Sequence, residues 1–171
     1  MTKAELTQYE KSILLFFIKG TLSDLSKSLI FFFVFFILGF LKEFFYGLFF
    51  LFLFRIFSGG IHCKTYLKCL LVSFVILSSG IGWGCYILIP HRYAIILATL
   101  CGIITVLLTP TLAPTRPAPS KKNKNRAKLH EGIVIFLFII LLTFKYNVFV
   151  NIGLGMLILH TIQLIVAQKR I

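Results

Sequence analysis

Acidic residues are nearly missing from this chain: 171 residues hold only five Asp and Glu, against 18 Lys and Arg, for a formal charge of +13. Charge of either sign is scarce, at 13% of positions, about half the share of an ordinary soluble domain. Cysteine is limited to Cys63, Cys69, Cys85 and Cys101. Their spacing is not that of a secreted disulfide scaffold, and a reduced cytosolic face is the simpler setting. Four of the five prolines crowd into residues 110–119. No small-residue cleavage signature follows a short apolar stretch near the N-terminus, so no cleavable signal peptide is expected. These shortages, read with the apolar content, exclude intrinsic disorder, collagen, coiled coil and small disulfide-rich folds. What is abundant is apolar bulk: 58% of positions are hydrophobic and 20 are Phe. A water-soluble globule of this size has too little interior to hide them. The expectation is an all-α, polytopic integral membrane protein.

Long apolar runs occupy residues 29–41, 44–54, 70–89, 93–109, 132–144 and 148–167. Runs near 20 residues can span a bilayer as helices. About four full spanning helices are expected, and the first two runs form a short hydrophobic hairpin or two short spans. Lys42 and Glu43 are the only polar break between those two runs, so a single long helix over 29–54 is the competing geometry, with Gly39 and Gly47 available to ease a turn. Residues 1–28 read as an amphipathic interfacial helix, with Leu6, Tyr9, Ile13, Phe16 and Phe17 at three- and four-residue steps among Lys3, Lys11, Lys19 and Lys27.

The gaps between runs hold, in order, four, one, three, one, six, one and two basic residues. This strict alternation predicts an even number of traverses with both termini cytoplasmic, since basic residues collect on the cytosolic side. On a soluble chain the same charge would suggest nucleic acid; beside apolar runs it reads as orientation, and no nucleic-acid partner is expected. The chain is then one membrane-embedded domain, 1–171. Its parts are an interfacial segment 1–28, a hydrophobic hairpin 29–54, a polar segment 55–69, a basic cytosolic loop 110–131 and C-terminal helices 132–171. In the loop, Pro110, Pro114, Pro117 and Pro119 favour extended backbone. Lys121, Lys122, Lys124, Arg126 and Lys128 supply either orientation charge or a docking surface for an acidic partner.

The segment 55–69 departs from the rest. Within it lie Arg55, Gly59, Gly60, His62, Cys63, Lys64, Lys68 and Cys69. A thiol beside a base and positive charge can act as a nucleophile. His62 can serve as the base, and Gly59 and Gly60 permit backbone that could face a developing oxyanion. On one straight helix His62 and Cys69 would be about 10.5 Å apart along the axis. A loop or broken turn after Gly60, folding back towards a helix carrying Cys69, is therefore expected. Cys63 is the rival thiol, although as the next neighbour of His62 it points elsewhere on a helix. A metal site from His62, Cys63 and Cys69 lacks a fourth ligand and a recognised spacing, so neither metal nor cofactor is expected. Cys85 and Cys101 read as packing residues, His91 and His130 carry no distinct signal, and His160 reads as an interhelical hydrogen-bonding group.

This segment resembles the accessory gene regulator protein B (AgrB) family, bacterial membrane cysteine endopeptidases that process a quorum-sensing propeptide. The resemblance rests on Arg55, on Gly60 two residues before His62, and on Cys69 seven residues after it. It extends to Lys19-Gly20 with Leu22, Leu25 and Lys27, and to Ala113-Pro114 at the start of the loop. It implies a bacterial cell-membrane location and catalysis by Cys69 and His62, with Arg55 and Gly60 in support, to which the backbone argument adds Gly59. It also implies an AgrD-like propeptide substrate whose acidic tail meets Lys121, Lys122, Lys124, Arg126 and Lys128, along with contact to membrane lipids and a homodimer. The product would be a thiolactone or lactone. The competing classes are a small channel or transporter using Asn151, His160 and Gln163, and a non-enzymatic peptide-export adaptor.

Overall fold

The computed structural model describes residues 8–59, 65–111 and 121–168. Six α-helices account for nearly all of them: α1 (Gln8–Ile37), α2 (Leu41–Ser58), α3 (Tyr66–Tyr86), α4 (His91–Leu108), α5 (Lys121–Phe144) and α6 (Val148–Gln168). The chain is an all-helical, multi-pass membrane protein. Five helices are long and apolar enough to cross a bilayer, by windows Gly20–Ile37, Tyr66–Tyr86, His91–Leu108, Lys121–Phe144 and Val148–Gln168. The exception, α2, is 18 residues long but carries Lys42, Glu43 and Arg55 near its ends. By contact the chain divides into two compact units, Met1–Leu41 and Lys42–Ile171.

In the first unit, α1 continues across residue 28, where the sequence suggested a boundary between an interfacial helix and the first apolar run. The helix persists because Asp24 and Lys27 sit one turn apart and pair at 3.0 Å, and because nothing between Leu22 and Ile37 breaks a helix. Of the proposed interfacial stripe, Leu6 lies outside the described residues. The long single helix over 29–54 does not form. Gly39, at φ 75°, ends α1 in a left-handed turn: the Phe40 N–H donates to the Phe35 carbonyl (2.9 Å) and the Gly39 N–H to the Phe36 carbonyl (3.1 Å). This is the glycine-closed C-terminus that a residue with a Cβ resists.

In the second unit, α6 is the central helix. Its sequence carries no charge between Val148 and Gln168, and Val150 through Leu157 are buried all round, as expected of a helix without a polar face. It approaches α3 closely because the seam is lined with glycine. A Cβ on Gly84 would lie 2.6 Å from the Ile152 backbone, and one on Gly155 3.0 Å from the Gly80 carbonyl. Such small-residue seams let membrane helices pack without a hydrophobic driving force. By contrast, α2 packs through rings: Phe50 and Phe54 each meet Phe138 of α5 at 5.4 Å edge to face, and Phe50 meets Phe149 of α6. Outside, Phe52, Leu107 and Phe136 are largely exposed, the apolar exterior that lipid requires.

Neighbouring contacts fix the helix directions. Asn151, at the start of α6, donates to the Gly84 and Ile87 carbonyls at the end of α3. Tyr146 donates to the Ile89 carbonyl before α4. Near the opposite end, Ser58 meets His160, and Lys128 reaches the Leu107 carbonyl. One end of the unit, the Cys69 end, therefore gathers the close of α2, the start of α3, the close of α4, the start of α5 and the close of α6. The other, the Asn151 end, gathers their opposite termini. Residues 55–59, 65–69, 109–111 and 121–128 share the Cys69 end, as the charge alternation predicts for the two basic gaps. One expectation needs correction: the basic loop does not extend to residue 131. Helix α5 begins at Lys121, so the five basic residues occupy its first two turns.

Candidate functional site

Helix α2 delivers the chain to the polar segment. It stops at Ser58 because Gly59 takes φ 82°, a left-handed angle costly for residues with a Cβ. The Gly59 N–H is taken by the Arg55 carbonyl (3.1 Å), so what this glycine supplies here is close approach rather than a spare donor. Its Cα faces the loop after α4, where an added Cβ would lie 2.7 Å from the Thr111 carbonyl oxygen. The Thr111 N–H donates to the Ser58 carbonyl (2.9 Å), making an isolated parallel bridge between Gly59 and Thr111.

The Ser58 side chain is fully buried. Its hydroxyl donates to the Phe54 carbonyl and lies 2.7 Å from His160 Nε2. A serine hydroxyl has one hydrogen. With that hydrogen on Phe54, the imidazole must be the donor at Nε2, leaving Nδ1 as an acceptor. His160 Nδ1 is buried with no partner among the described residues. The interhelical role expected of His160 is thus what it performs, between α6 and α2. Arg55 is half-buried three residues before Ser58.

Cys69 sits on the first turn of α3, half-buried. Thr65 caps the helix in extended backbone without a side-chain cap bond, and the Cys69 N–H donates to the Thr65 carbonyl (3.1 Å). The Cα–Cβ bond of a helical residue tilts towards the helix N-terminus, so the thiol leans towards the segment that precedes it. Gly60, His62, Cys63 and Lys64 lie outside the described residues, as do Pro114, Pro117 and Pro119. Cys101 is buried and Cys85 half-buried. Among the described residues no group of three His, Cys, Asp or Glu could hold a metal ion.

On α5, Lys121, Lys122, Lys124 and Arg126 are exposed, and Lys128 is half-buried with its Nζ on the Leu107 carbonyl at 3.3 Å. At 100° per residue, Lys121, Lys124 and Lys128 share one face, whereas Lys122 and Arg126 share another. The buried stripe of the same helix is Glu131, Ile135, Phe138 and Leu142. Glu131 is fully buried, and neither carboxyl oxygen has a partner among the described residues.

Sequence reading passed over Ser58, Thr111 and Glu131. Glu131 carried a usable signal: it is one of five acids and immediately precedes an apolar run, where a charged group is costly enough to suggest a role. Ser58 and Thr111 carried none, because their importance lies in contacts between segments distant in sequence.

The family model for accessory gene regulator B matches residues 1–165, nearly the whole chain. The chain belongs to the accessory gene regulator B family. Comparison with curated proteins and with solved structures gives no match. Family membership gives this AgrB protein a role in processing the quorum-sensing peptide of the accessory gene regulator system, with an AgrD-like propeptide as its substrate.

Proposed function

We propose that this AgrB protein is a membrane-embedded cysteine endopeptidase that removes the acidic C-terminal tail of its propeptide and cyclises the remainder. The observation that carries this reading is the placement of Cys69: the first turn of α3, half-buried, at the end of the bundle that also holds the Gly59 exit and the basic start of α5. In this reading that end faces the cytosol, and the amphipathic leader of the propeptide lies on the inner leaflet.

The Cys69 sulfur attacks the carbonyl carbon before the acidic tail. His62 takes the thiol proton and then gives it to the departing amine, so the C–N bond breaks as the C–S bond persists as a thioester. Helix N-termini present backbone N–H groups and favour developing negative charge, which suits a thiol on the first turn of α3. A Cys or Ser side chain within the bound peptide then attacks the thioester, forming a thiolactone or lactone and returning the thiol to Cys69. Ring closure outruns hydrolysis when the internal nucleophile is held near and water is kept away.

The start of α5 favours an acidic partner for a second reason. Its first turn has no acid, yet Lys121, Lys122 and Lys124 sit where the helix dipole already carries positive potential. Such an arrangement is unfavourable by itself and is relieved by a bound carboxylate-rich tail. A homodimer belongs to the same reading and is checked by crosslinking in native membranes.

The deciding experiment uses purified protein in liposomes with the cognate propeptide. Wild type releases the acidic tail and leaves a thioester adduct on Cys69. Cys69→Ala binds peptide and loses cleavage by at least about 10³-fold, as removal of a nucleophile does, while Cys63→Ala still cuts. Equal cleavage by Cys69→Ala and wild type overturns the reading.

A further inference from the structure

The chain leaves α2 through a single peptide held from two directions. Thr111 binds it from the loop side, by its N–H to the Ser58 carbonyl and by the close approach of its own carbonyl to Gly59. His160 binds it from inside the bundle, through the Ser58 hydroxyl. The next residue of α6, Thr161, meets Thr105 of α4 at 2.9 Å, and one turn further along α4 the Thr109 N–H donates back to the Thr105 carbonyl, two residues before Thr111. Of two consecutive residues of the central helix, His160 thus meets Ser58 directly and Thr161 meets the last turns of α4 that lead into Thr111. All of these side chains are buried: Ser58 0%, Thr105 0%, His160 1%, Thr161 3% and Thr111 7% exposed.

Buried polar contacts of this kind are not needed to hold α2 in place. Phe50 and Phe54 already do so through Phe138 and Phe149. The Ser58 contacts lie beyond that ring cluster, on the last turn of α2, four positions before His62 in the sequence. A hydroxyl–imidazole pair is directional where a ring stack is not, so it fixes the orientation of the final turn as well as its position. We infer that His160 is a positioning residue for the peptidase: acting through Ser58, it sets the direction in which the chain leaves α2 towards His62. The inference rests on the peptidase reading above. In this inference His160 takes no part in the bond-making steps, and its effect passes through the backbone at Ser58 and Gly59.

The test uses the full chain in liposomes with the cognate propeptide, and four variants: His160→Phe, which keeps a ring and removes the donor; His160→Gln, which keeps a donor near the Nε2 position; Ser58→Ala; and the Ser58→Ala/His160→Phe double variant. The expected result is a loss in kcat of about 10²-fold for His160→Phe, the size that misplacement of a catalytic group by about 1 Å produces. KM stays within about threefold, because propeptide binding does not use this contact. His160→Gln recovers at least about tenfold of the loss, Ser58→Ala reproduces it, and the double variant is no worse than the more damaged single, as for two halves of one contact. Hydrogen exchange at the Thr111 amide rises in His160→Phe whether or not the protein cuts, which reads the latch separately from catalysis.

Wild-type kcat in both His160→Phe and Ser58→Ala, in membranes where Cys69→Ala is inactive, overturns the inference and leaves the peptidase reading standing. So do losses in the two single variants that multiply in the double. If His160→Phe does not insert, His160→Gln and Ser58→Ala decide the matter by the same kcat and exchange measurements. Cleavage by Cys69→Ala sinks the peptidase reading instead, and unchanged exchange at Thr111 sinks the latch alone.

Discussion

The two ends of the Lys42–Ile171 unit differ in how many of their buried polar groups find partners. At the Asn151 end the interhelical polar groups are matched, apart from the Trp83 indole Nε1, which is buried with no partner among the described residues. Asn151 donates to Gly84 and Ile87, Tyr146 to Ile89, and the Val150 N–H to the Asn147 side chain; the His91 ring donates from Nε2 to the Leu142 carbonyl and stacks on Tyr146. At the Cys69 end, Glu131 Oε1 and Oε2, His160 Nδ1 and Gln163 Nε2 are buried with no partner among the described residues. An unmatched buried polar group costs about 1–3 kcal/mol, and native structures tolerate few of them. The Asn151 end is therefore built as a clamp that fixes three interhelical connections. The Cys69 end retains bonding capacity that its own stability does not use, and it is the end where the proposed nucleophile and the basic turns lie. Departures from local consistency of this kind collect where function resides.

The comparison is broken most severely by attacking the seam that supports the clamp. A methyl group on Gly84 would lie 2.2 Å from Ile152 Cγ1 and 2.6 Å from the Ile152 backbone, and backbone cannot swing aside. Gly84→Ala is expected to cost about 3 kcal/mol, the upper part of the usual overpacking range, read as a large fall in unfolding midpoint in detergent. Gly82→Ala is the internal control. Nothing lies within 4 Å of the added atom there, and alanine is the better helix former, so the midpoint should hold or rise. Equal losses at the two positions would mean that α3 and α6 do not pack along this line.

A smaller effect separates the two ends directly. Asn151→Ala strips donors from the Gly84 and Ile87 carbonyls and is expected to cost about 2 kcal/mol, with cleavage per folded molecule unchanged. Glu131→Gln replaces a buried carboxyl that has no partner among the described residues with an amide of the same shape, so stability should hold within about 1 kcal/mol. Paired chemical or thermal unfolding of the two variants checks this. A loss at Glu131→Gln as large as at Asn151→Ala would show that the carboxyl is engaged, and the contrast between the ends would shrink to Gln163 and the His160 ring.

Much of this architecture was legible beforehand, and the reasons are physical. Apolar runs near the length of a bilayer show through composition alone, and the alternation of basic gaps put residues 55–68 and 110–131 on one side, where the Gly59–Thr111 bridge now joins them. Helix starts were less legible. The segment Lys121–Leu129 is polar enough to read as loop, yet it contains no residue that stops a helix, so α5 grows back from its apolar part to Lys121. The same logic carries α1 across residue 28. Ser58, Thr111 and His160 could not be united from sequence, because Ser58 and His160 are 102 positions apart and no spacing rule links a turn after one helix to the middle of another. The spacing from His62 to Cys69, by contrast, is local, and local chemistry is what a sequence displays.

The smallest expected effect sharpens the picture of the Cys69 end as a surface awaiting an acidic partner. Lys121, Lys122, Lys124 and Arg126 are exposed, whereas Lys128 rests on the Leu107 carbonyl at the close of α4. An exposed charge contributes little and is screened by salt. Each of the four exposed residues changed to Ala should weaken tail binding about two- to threefold at low ionic strength, and the loss should fade as salt rises. Lys128→Ala should weaken it less, since its ammonium is already occupied and its removal frees a helix-end carbonyl rather than a tail contact. Titration of the acidic tail peptide at two salt concentrations checks both statements. If Lys128 proves the most sensitive of the five, or the losses persist at high salt, the tail does not lie along the exposed faces of the first turns of α5 but reaches inward, towards the close of α4 and the unmatched groups beneath it.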